Sequence, residues 1–195
     1  RVLATLKDAR LDDNTVVLFA SDHGDYFGDH QLLWKGPLHY RGLARVPLIW
    51  SDPQDRTVAG SGSAALCSTP DIAPTILARV GCTPFNGIQG RNLLPLMQGQ
   101  AWDRESVLIE EEGQRVMFGF AARVRMRTVQ TARWRLSIYE GADWGEMYDL
   151  ENDPHECHNL WDGPQHGARK QALMHEMLRQ MIRHADHSPA PSAQA

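Results

Sequence analysis

Long apolar runs are missing from this chain of 195 residues. A membrane-crossing helix needs roughly 18 or more consecutive apolar residues, and the longest candidate stretch, Val46 to Trp50, is far shorter, so no membrane span is expected. Cysteine is scarce. Cys67, Cys82 and Cys157 lie far apart, an odd count without the short paired spacing of a zinc site, which argues against both a disulfide scaffold and a cysteine-based zinc module. Basic charge is not in excess either: 20 Lys and Arg face 24 Asp and Glu, for a formal charge of −4. That balance removes the general electrostatic footprint which nucleic acids or anionic lipid surfaces require, so any anion must be held locally. There are no internal repeats. What remains is an ordinary globular composition, 42% hydrophobic, at a length that supports one or two domains with a core. The sequence opens on Arg1, in what reads as the middle of a helix. A longer parent protein or a removed upstream segment is expected, and the compartment (periplasmic, secreted or cytoplasmic) stays open.

Val2, Leu3 and Leu6 recur at helical spacing until the polar cluster Asp12-Asp13-Asn14 breaks the pattern. Val16 to Ala20 follows, apolar without alternation and β-branched at its start, the pattern of a strand buried on both faces as in a parallel sheet flanked by helices. In open α/β sheets ligands bind outside the carboxyl ends of strands, which points to Ser21-Asp22-His23-Gly24, with Gly24 suited to a tight turn. Val46 to Trp50 reads as a second strand, and Pro47 near its start makes it an edge or terminal one. Residues 51–64 read as a surface loop. Residues 68–81 offer Ser68 or Thr69 as N-cap, Pro70 near the first turn, Asp71 at the positive end and Gly81 as the stop, which predicts a helix. A turn-rich connector carrying Leu93, Leu94, Leu96 and Met97 leads on to Trp102.

Beyond Trp102 the texture changes to short strands within 106–112, 118–131 and 133–140, an antiparallel meander. Alternation of Val124, Met126 and Thr128 with Arg123, Arg125 and Arg127 predicts a sheet with one wet face. A long loop, 140–167, precedes a helix from about Arg169 to Ala185. Its Leu173, Met174, Met177, Leu178, Met181 and Ile182 form one stripe suited to lying across the sheet. Residues 187–195 read as a disordered tail.

The stretch FASDHGDYFGDHQLLWKGPLHY, residues 19–40, packs three Asp, three His and one Lys behind an apolar run. A hard divalent cation would take the Asp22 carboxylate and a nitrogen of His23, a pair that also tolerates manganese or zinc. A capped turn is the plainer reading of the same two residues. Lys35, with Gly36 and Pro37 behind it, makes chemical sense beside a cation when an anion sits between the two, which suggests a sulfate or phosphate ester. His39, with an ordinary pKa near neutrality, is a candidate to protonate a leaving oxygen. A solvated Lys35 and a loop-capping His39 are the alternatives. Trp34, next to Lys35, is the tryptophan placed near a substrate.

Residues 15–50, TVVLFASDHGDYFGDHQLLWKGPLHYRGLARVPLIW, resemble the corresponding segment of the type I sulfatases, the formylglycine-dependent hydrolases of the alkaline phosphatase superfamily. The resemblance continues in TPDIAPTILARVG, IQGRNLLPLMQG, RTVQTARWRLSIYEG and the closing EMYDLENDPHECHNL, and so covers nearly the whole chain. It implies an α/β fold: residues 1–102 as the C-terminal part of a mixed sheet flanked by helices, and 103–195 as a small antiparallel subdomain with a packed C-terminal helix. It implies Asp22 and His23 as ligands of a divalent cation, calcium first, with manganese or magnesium as alternatives. Lys35 contacts the sulfate oxygens, and His39 is carried over only from a subset with the KGPxHY form. The substrate would be a small-molecule or glycan sulfate ester, with no nucleic acid involved.

The family's N-terminal half, with an Asp-Asp metal pair and a Cys-x-Pro-Ser-Arg motif whose Cys becomes the formylglycine nucleophile, has no counterpart here. Cys82 begins CTPFN, but Phe85 and Asn86 stand where Ser and Arg belong; Cys67 begins CSTPD, with its Pro one place late. The isolated chain is therefore expected to be inactive. Glu110 to Glu112 read as a solvated charge run, and His155, Cys157 and His158 fall in variable slots of the closing loop. Arg41 and Arg45 could enlarge a positive lining, though Arg45 reads better as tying the loop down through a salt bridge. Rival readings are a phosphodiesterase or phosphonate monoester hydrolase of the same superfamily, and a non-catalytic binding or oligomerisation module whose exposed sheet edge a partner completes. Association with the missing half, or with a second copy, follows as an expectation.

Overall fold

The computed structural model describes residues 1–55 and 59–186. The expected tail, 187–195, and part of the expected surface loop, 56–58, lie outside the described residues. Helix α1 (Val2–Asp8) leads through the turn at Asp12 and Asp13 into β1 (Val17–Ala20). The strand β2 (Leu48–Ser51) pairs with β1 antiparallel, from Val17 opposite Ser51 to Ala20 opposite Leu48. The parallel neighbour expected for β1 is thus not found among the described residues, and neither is burial on both faces. Phe19 and Ile49, cross-strand partners, are 59% and 57% exposed. A two-stranded sheet cannot cover both of its own faces. Leu3, Val17, Leu48, Leu94 and Met97 contribute to an open groove of about 1110 Å³ beside this sheet.

The helix expected at 68–81 begins as a single 3₁₀ turn, Thr69–Asp71, and continues as an α-helix over Ile72–Arg79. Asp71 is fully buried; its carboxylate accepts the N–H groups of Ser68 at 2.8 Å and Arg91 at 2.7 Å and pairs with Arg104. Pro74 falls in the first α-helical turn, where its missing N–H costs no intrahelical bond. Gly81, at φ +73°, ends the helix as expected.

Four strands, β3 (Ser106–Glu112), β4 (Arg125–Thr131), β5 (Trp134–Tyr139) and β6 (Gly145–Asp149), form an antiparallel sheet in sequential order. The first three lie where their alternation put them. The fourth falls in the stretch read as loop, because its Glu146 and Asp149 are atypical of a strand until Arg135 and Arg133 pair with them. Although β6 is an edge strand, all of it is buried. Asn159 accepts the Met147 N–H at 3.0 Å and donates to the Gly145 carbonyl at 2.9 Å, and Leu160 N–H donates to the Met147 carbonyl at 2.8 Å. The closing loop therefore covers that edge and leaves no row of free backbone groups there for a partner strand.

The face that alternation read as wet is wet at one end only, where the Arg125 side chain is 52% exposed among Glu112, Glu110 and Arg127. Val129, Leu136 and Met147 pack under a long helix (Gly167–Arg183) through Leu173 and Met177. Thr128, Ser137 and Arg135 point to the opposite face, which residues 38–41 cover: Leu38 packs on Met126, His39 bonds Thr128, and Tyr40 bonds Glu146. The helix buries a narrower stripe than expected. Leu173, Met177 and Gln180 are buried, whereas Met174, Leu178, Met181 and Ile182 are 38–73% exposed. Gln180 takes an interior place because its amide donates to Ser106 Oγ at 2.7 Å and to Glu176 Oε1 at 2.9 Å.

Arg135 is 1% exposed and lies against two rings, its guanidinium carbon 5.1 Å from the centroid of Tyr40 and 4.7 Å from that of Tyr148. It pairs with Glu156 and, at 3.3 Å, with Glu146. Burial opposes its charge, and the two carboxylates outweigh that opposition. Replacing Arg135 by Met strands two buried carboxylates and is expected to lower the unfolding free energy by about 3–5 kcal/mol. The triple variant Arg135→Met, Glu146→Gln, Glu156→Gln should lose less. Urea unfolding of the two proteins checks this, and a single-variant loss under about 1 kcal/mol would contradict it.

Candidate functional site

The chain leaves β1 through Ser21, whose hydroxyl donates to the His23 carbonyl at 2.8 Å. Asp22 Oδ1 accepts the His23 N–H at 3.0 Å, and chiefly through that bond its carboxyl is held below the usual range. Gly24 answers a close approach rather than a positive φ: an added Cβ would stand 1.9 Å from the Gly42 carbonyl oxygen. Its N–H donates to the Leu43 carbonyl at 2.8 Å. The turn is thereby fastened to a short helical turn, Arg41–Ala44, that precedes β2.

Two hydrogen bonds fix the state of His23. Nδ1 lies 2.6 Å from the Gly24 carbonyl, which can only accept, so Nδ1 carries the proton. Nε2 keeps its lone pair, and the Lys35 ammonium donates to it at 2.8 Å. The same Nε2 is 3.6 Å from Asp22 Oδ2. Asp22, His23 and Lys35 are therefore brought into one cluster on an open surface, with the Asp22 and His23 side chains 85% and 38% exposed. A carboxylate beside a neutral imidazole whose far nitrogen rests on a backbone carbonyl is suitable donor chemistry for a divalent cation. It is two donors. Among the described residues no group of three or more His, Cys, Asp or Glu is arranged to hold a metal, so further ligands would have to come from outside them.

The loop between His23 and Lys35 is unusual in its backbone. Phe27, Gly28, His30, Gln31 and Trp34 all have positive φ, from 51° to 100°, and side-chain-bearing residues hold such angles only where surrounding structure imposes them. Tyr26, 1% exposed, supplies much of that constraint through its backbone N–H, which donates to the Trp34 carbonyl at 2.8 Å. The His30 ring stacks on Tyr40 at 3.7 Å between centroids. Trp34 itself is 77% exposed beside Lys35.

His39 is placed differently. It is buried, its Nδ1 2.9 Å from Thr128 Oγ1, and Thr128 leads through Ser137 to Arg135. Burial first, and the Arg135 charge second, push its pKa down to about 4. An imidazole so placed is neutral at pH 7 and lacks the acidic imidazolium proton that a general acid gives to a leaving group. Sequence reasoning did not single out the residues that anchor this end of the loop. Glu156 accepts the Arg41 N–H at 2.6 Å and pairs with Arg135, while Glu146 accepts the Tyr40 hydroxyl at 2.8 Å. Glu156 lies in the closing signature at φ +56°, a backbone state that marks it as constrained.

The weaker candidates resolve as structural groups. Glu110 and Glu112 are cross-strand ion partners of Arg127 and Arg125. Asp153 caps the amides of Cys157 and His158 at 3.0 and 2.8 Å. Arg45 is exposed, and the salt bridge expected of it is not seen among the described residues. Cys82 is exposed in the connector, and burial raises the Cys67 thiol away from nucleophilic character.

A strand ending in Asp22 and His23, with the Lys35 ammonium folded back onto the imidazole and an antiparallel meander behind, belongs to an alkaline-phosphatase-like fold of the kind that sulfatases have. The family described as N-sulphoglucosamine sulphohydrolase, C-terminal, matches residues 28–184, and the chain belongs to that sulfatase family. It is 30% identical, over 96% of its length and 38% of the relative's, to the multifunctional alkaline phosphatase superfamily protein PehA of Trinickia caryophylli. It is 27% identical to the N-acetylglucosamine-6-O-sulfatase of Bacteroides thetaiotaomicron, over 91% of this chain and 32% of that one. The phosphonate monoester hydrolase of Agrobacterium radiobacter superposes with a TM-score of 0.87 at 27% identity, covering 97% of this chain and 39% of that one. A protein solved with its substrate D-glucosamine-2-N,6-O-disulfate superposes with a TM-score of 0.85 at 26% identity, covering 99% and 39%. The chain thus spans 32–39% of the length of these relatives.

The burial of His39 makes stability depend on acid. Its folded pKa of about 4 lies below the ordinary 6.5, so the unfolded chain binds the proton first. The contribution is fully present above pH 6.5 and is lost as the pH falls toward 4. Between pH 7.5 and pH 5 the loss should be about 2 kcal/mol. In His39→Gln this component of the pH dependence should vanish, which paired denaturant titrations at the two pH values measure.

Proposed function

We propose that this chain carries half of the site of a hydrolase for sulfate esters. Asp22 and His23 hold a divalent cation, calcium first, and Lys35 grips the same tetrahedral oxyanion from the other side. The observation that supports this is the gathering of Asp22, His23 and Lys35 in one exposed cluster, in which the Lys35 ammonium, 2.8 Å from His23 Nε2, would give up that lone pair to the cation and turn to the anion. When bound, the cation supplies Lewis-acid charge to the oxygens of the transferred group. Released from His23 Nε2, Lys35 would donate to a second oxygen, where its ammonium meets the negative charge that develops there. Trp34 presents an exposed ring beside Lys35, suited to the organic part of a small-molecule or glycan sulfate ester. His39 serves as a neutral member of the buried network rather than as the acid. The formylglycine nucleophile and the remaining metal ligands belong, in this reading, to an N-terminal portion that the open apolar groove receives.

Phosphonate monoester or phosphodiester hydrolysis is a second reading, favoured by the TM-score of 0.87 against the phosphonate monoester hydrolase. Hydrolysis of 4-nitrophenyl sulfate, phosphate mono- and diester, and phenylphosphonate by the complete gene product separates the two. We expect the sulfate ester to be preferred, the 195-residue chain alone to show no turnover, and Lys35→Ala to lower kcat/KM about 100-fold, on the order of 3 kcal/mol. Metal-dependent turnover by the isolated chain, or an unchanged rate in Lys35→Ala, would sink the proposal.

A further inference from the structure

We infer that Tyr26 is a positioning residue for Lys35, setting the ammonium from behind the loop through the backbone on both sides of it. The inference rests on the reading of Lys35 as the anion-binding group. Tyr26 reaches both flanks. Its N–H donates to the carbonyl of Trp34, the residue immediately before Lys35, at 2.8 Å. Its hydroxyl donates to the Leu38 carbonyl at 2.9 Å and accepts the Leu38 N–H at 2.9 Å, so one phenol satisfies both peptide groups of a residue shortly after Lys35. Between the two anchors stands Gly36, where an added Cβ would lie 3.2 Å from the Phe118 ring and 3.3 Å from the Tyr26 hydroxyl.

Lys35 thus sits on a short arch whose two feet rest on one buried side chain and its own backbone. The arch is not a conformation the chain prefers locally, since Trp34 is held at φ +67°. Burial of the phenol keeps it protonated, with its pKa pushed up to about 12, so the donor bond to Leu38 persists across the neutral range. The ring also meets Tyr40 edge-on at 6.4 Å, and Tyr40 is tied to Glu146. The arch is thereby referenced to the sheet. Removing the hydroxyl alone leaves the ring and its packing while freeing the Leu38 end, a change too small to unmake the fold and large enough to blur the ammonium's position.

The test is a double-mutant cycle in the complete gene product: wild type, Tyr26→Phe, Lys35→Ala and the double variant, with kcat and KM for 4-nitrophenyl sulfate. Tyr26→Phe should lower kcat about tenfold with KM changed less than threefold, and should cost nothing further once Lys35 is Ala. Amide hydrogen exchange of the 195-residue chain gives an independent readout, with Leu38 exchanging at least tenfold faster in Tyr26→Phe and the strand amides keeping their protection. A loss that multiplies in full on the Lys35→Ala background, or an unchanged Leu38 rate, overturns the inference. An unchanged kcat in Lys35→Ala overturns the underlying reading instead. Should Tyr26→Phe fail to fold, Gly36→Ala displaces the same arch from its middle and must show the same non-additivity with Lys35→Ala.

Discussion

The buried guanidinium of Arg135 is the fixed point of this structure. Charge taken out of water must be matched nearby, and the matching groups, Glu146 and Glu156, each have a second duty. Glu156 accepts the backbone N–H of Arg41, and Glu146 accepts the hydroxyls of Tyr40, Tyr139 and Tyr148. The neutralisation of one cation and the seating of the site-bearing loop are therefore the same set of contacts. Burial first, and the Glu146 carboxylate second, raise the phenols of Tyr40, Tyr139 and Tyr148, so these rings remain hydrogen-bond donors to that carboxylate.

On this footing the division of labour is spatial. Asp22, His23 and Lys35 gather at an open surface within reach of solvent. His39 and the Arg135 network lie beneath, and give the loop a rigid floor. A cluster of like chemistry on a floppy loop would spend its binding energy on ordering itself. Here the ordering is supplied by the sheet, whose second face exists to be covered by the loop rather than by solvent.

Much of this was legible in the sequence, and the parts that were not share a cause. Runs with a local period, the strands of the meander and the helices, announced themselves. The turn after β1 could be placed because an apolar run ended abruptly in Asp22 and His23. What escaped were features decided across the fold. The strand at Gly145–Asp149 hides behind carboxylates that only make sense beside Arg135 and Arg133. Gln180 looks like a surface residue until Ser106 and Glu176 are seen opposite it. Alternation into β4 reported a dry face correctly at Val124, Met126 and Thr128 and a wet one at Arg125, but could not report that the second face would turn dry beyond it, under the long helix. His39 read as a proton carrier from its neighbours in the chain, and its partner, Thr128, is 89 positions away. Tyr26 passed unnoticed because a lone tyrosine in a polar loop carries no signal of what its hydroxyl will meet.

Separations of this kind also have a bearing on biosynthesis. The loop is fastened by bonds that join residues 89, 106 and 115 positions apart in the chain. A ribosome adds residues from the N-terminus onward at about 5–20 per second, so the segment around Lys35 emerges several seconds before the last of its fasteners, Glu156, is made. In that interval its left-handed backbone is held by local contacts alone, chiefly those of Tyr26 with Trp34 and Leu38. The seating of that loop on the sheet is consequently a late product of translation, and a nascent chain halted before Glu156 would keep the loop's own contacts but lack the carboxylate that ties Arg41 to Arg135.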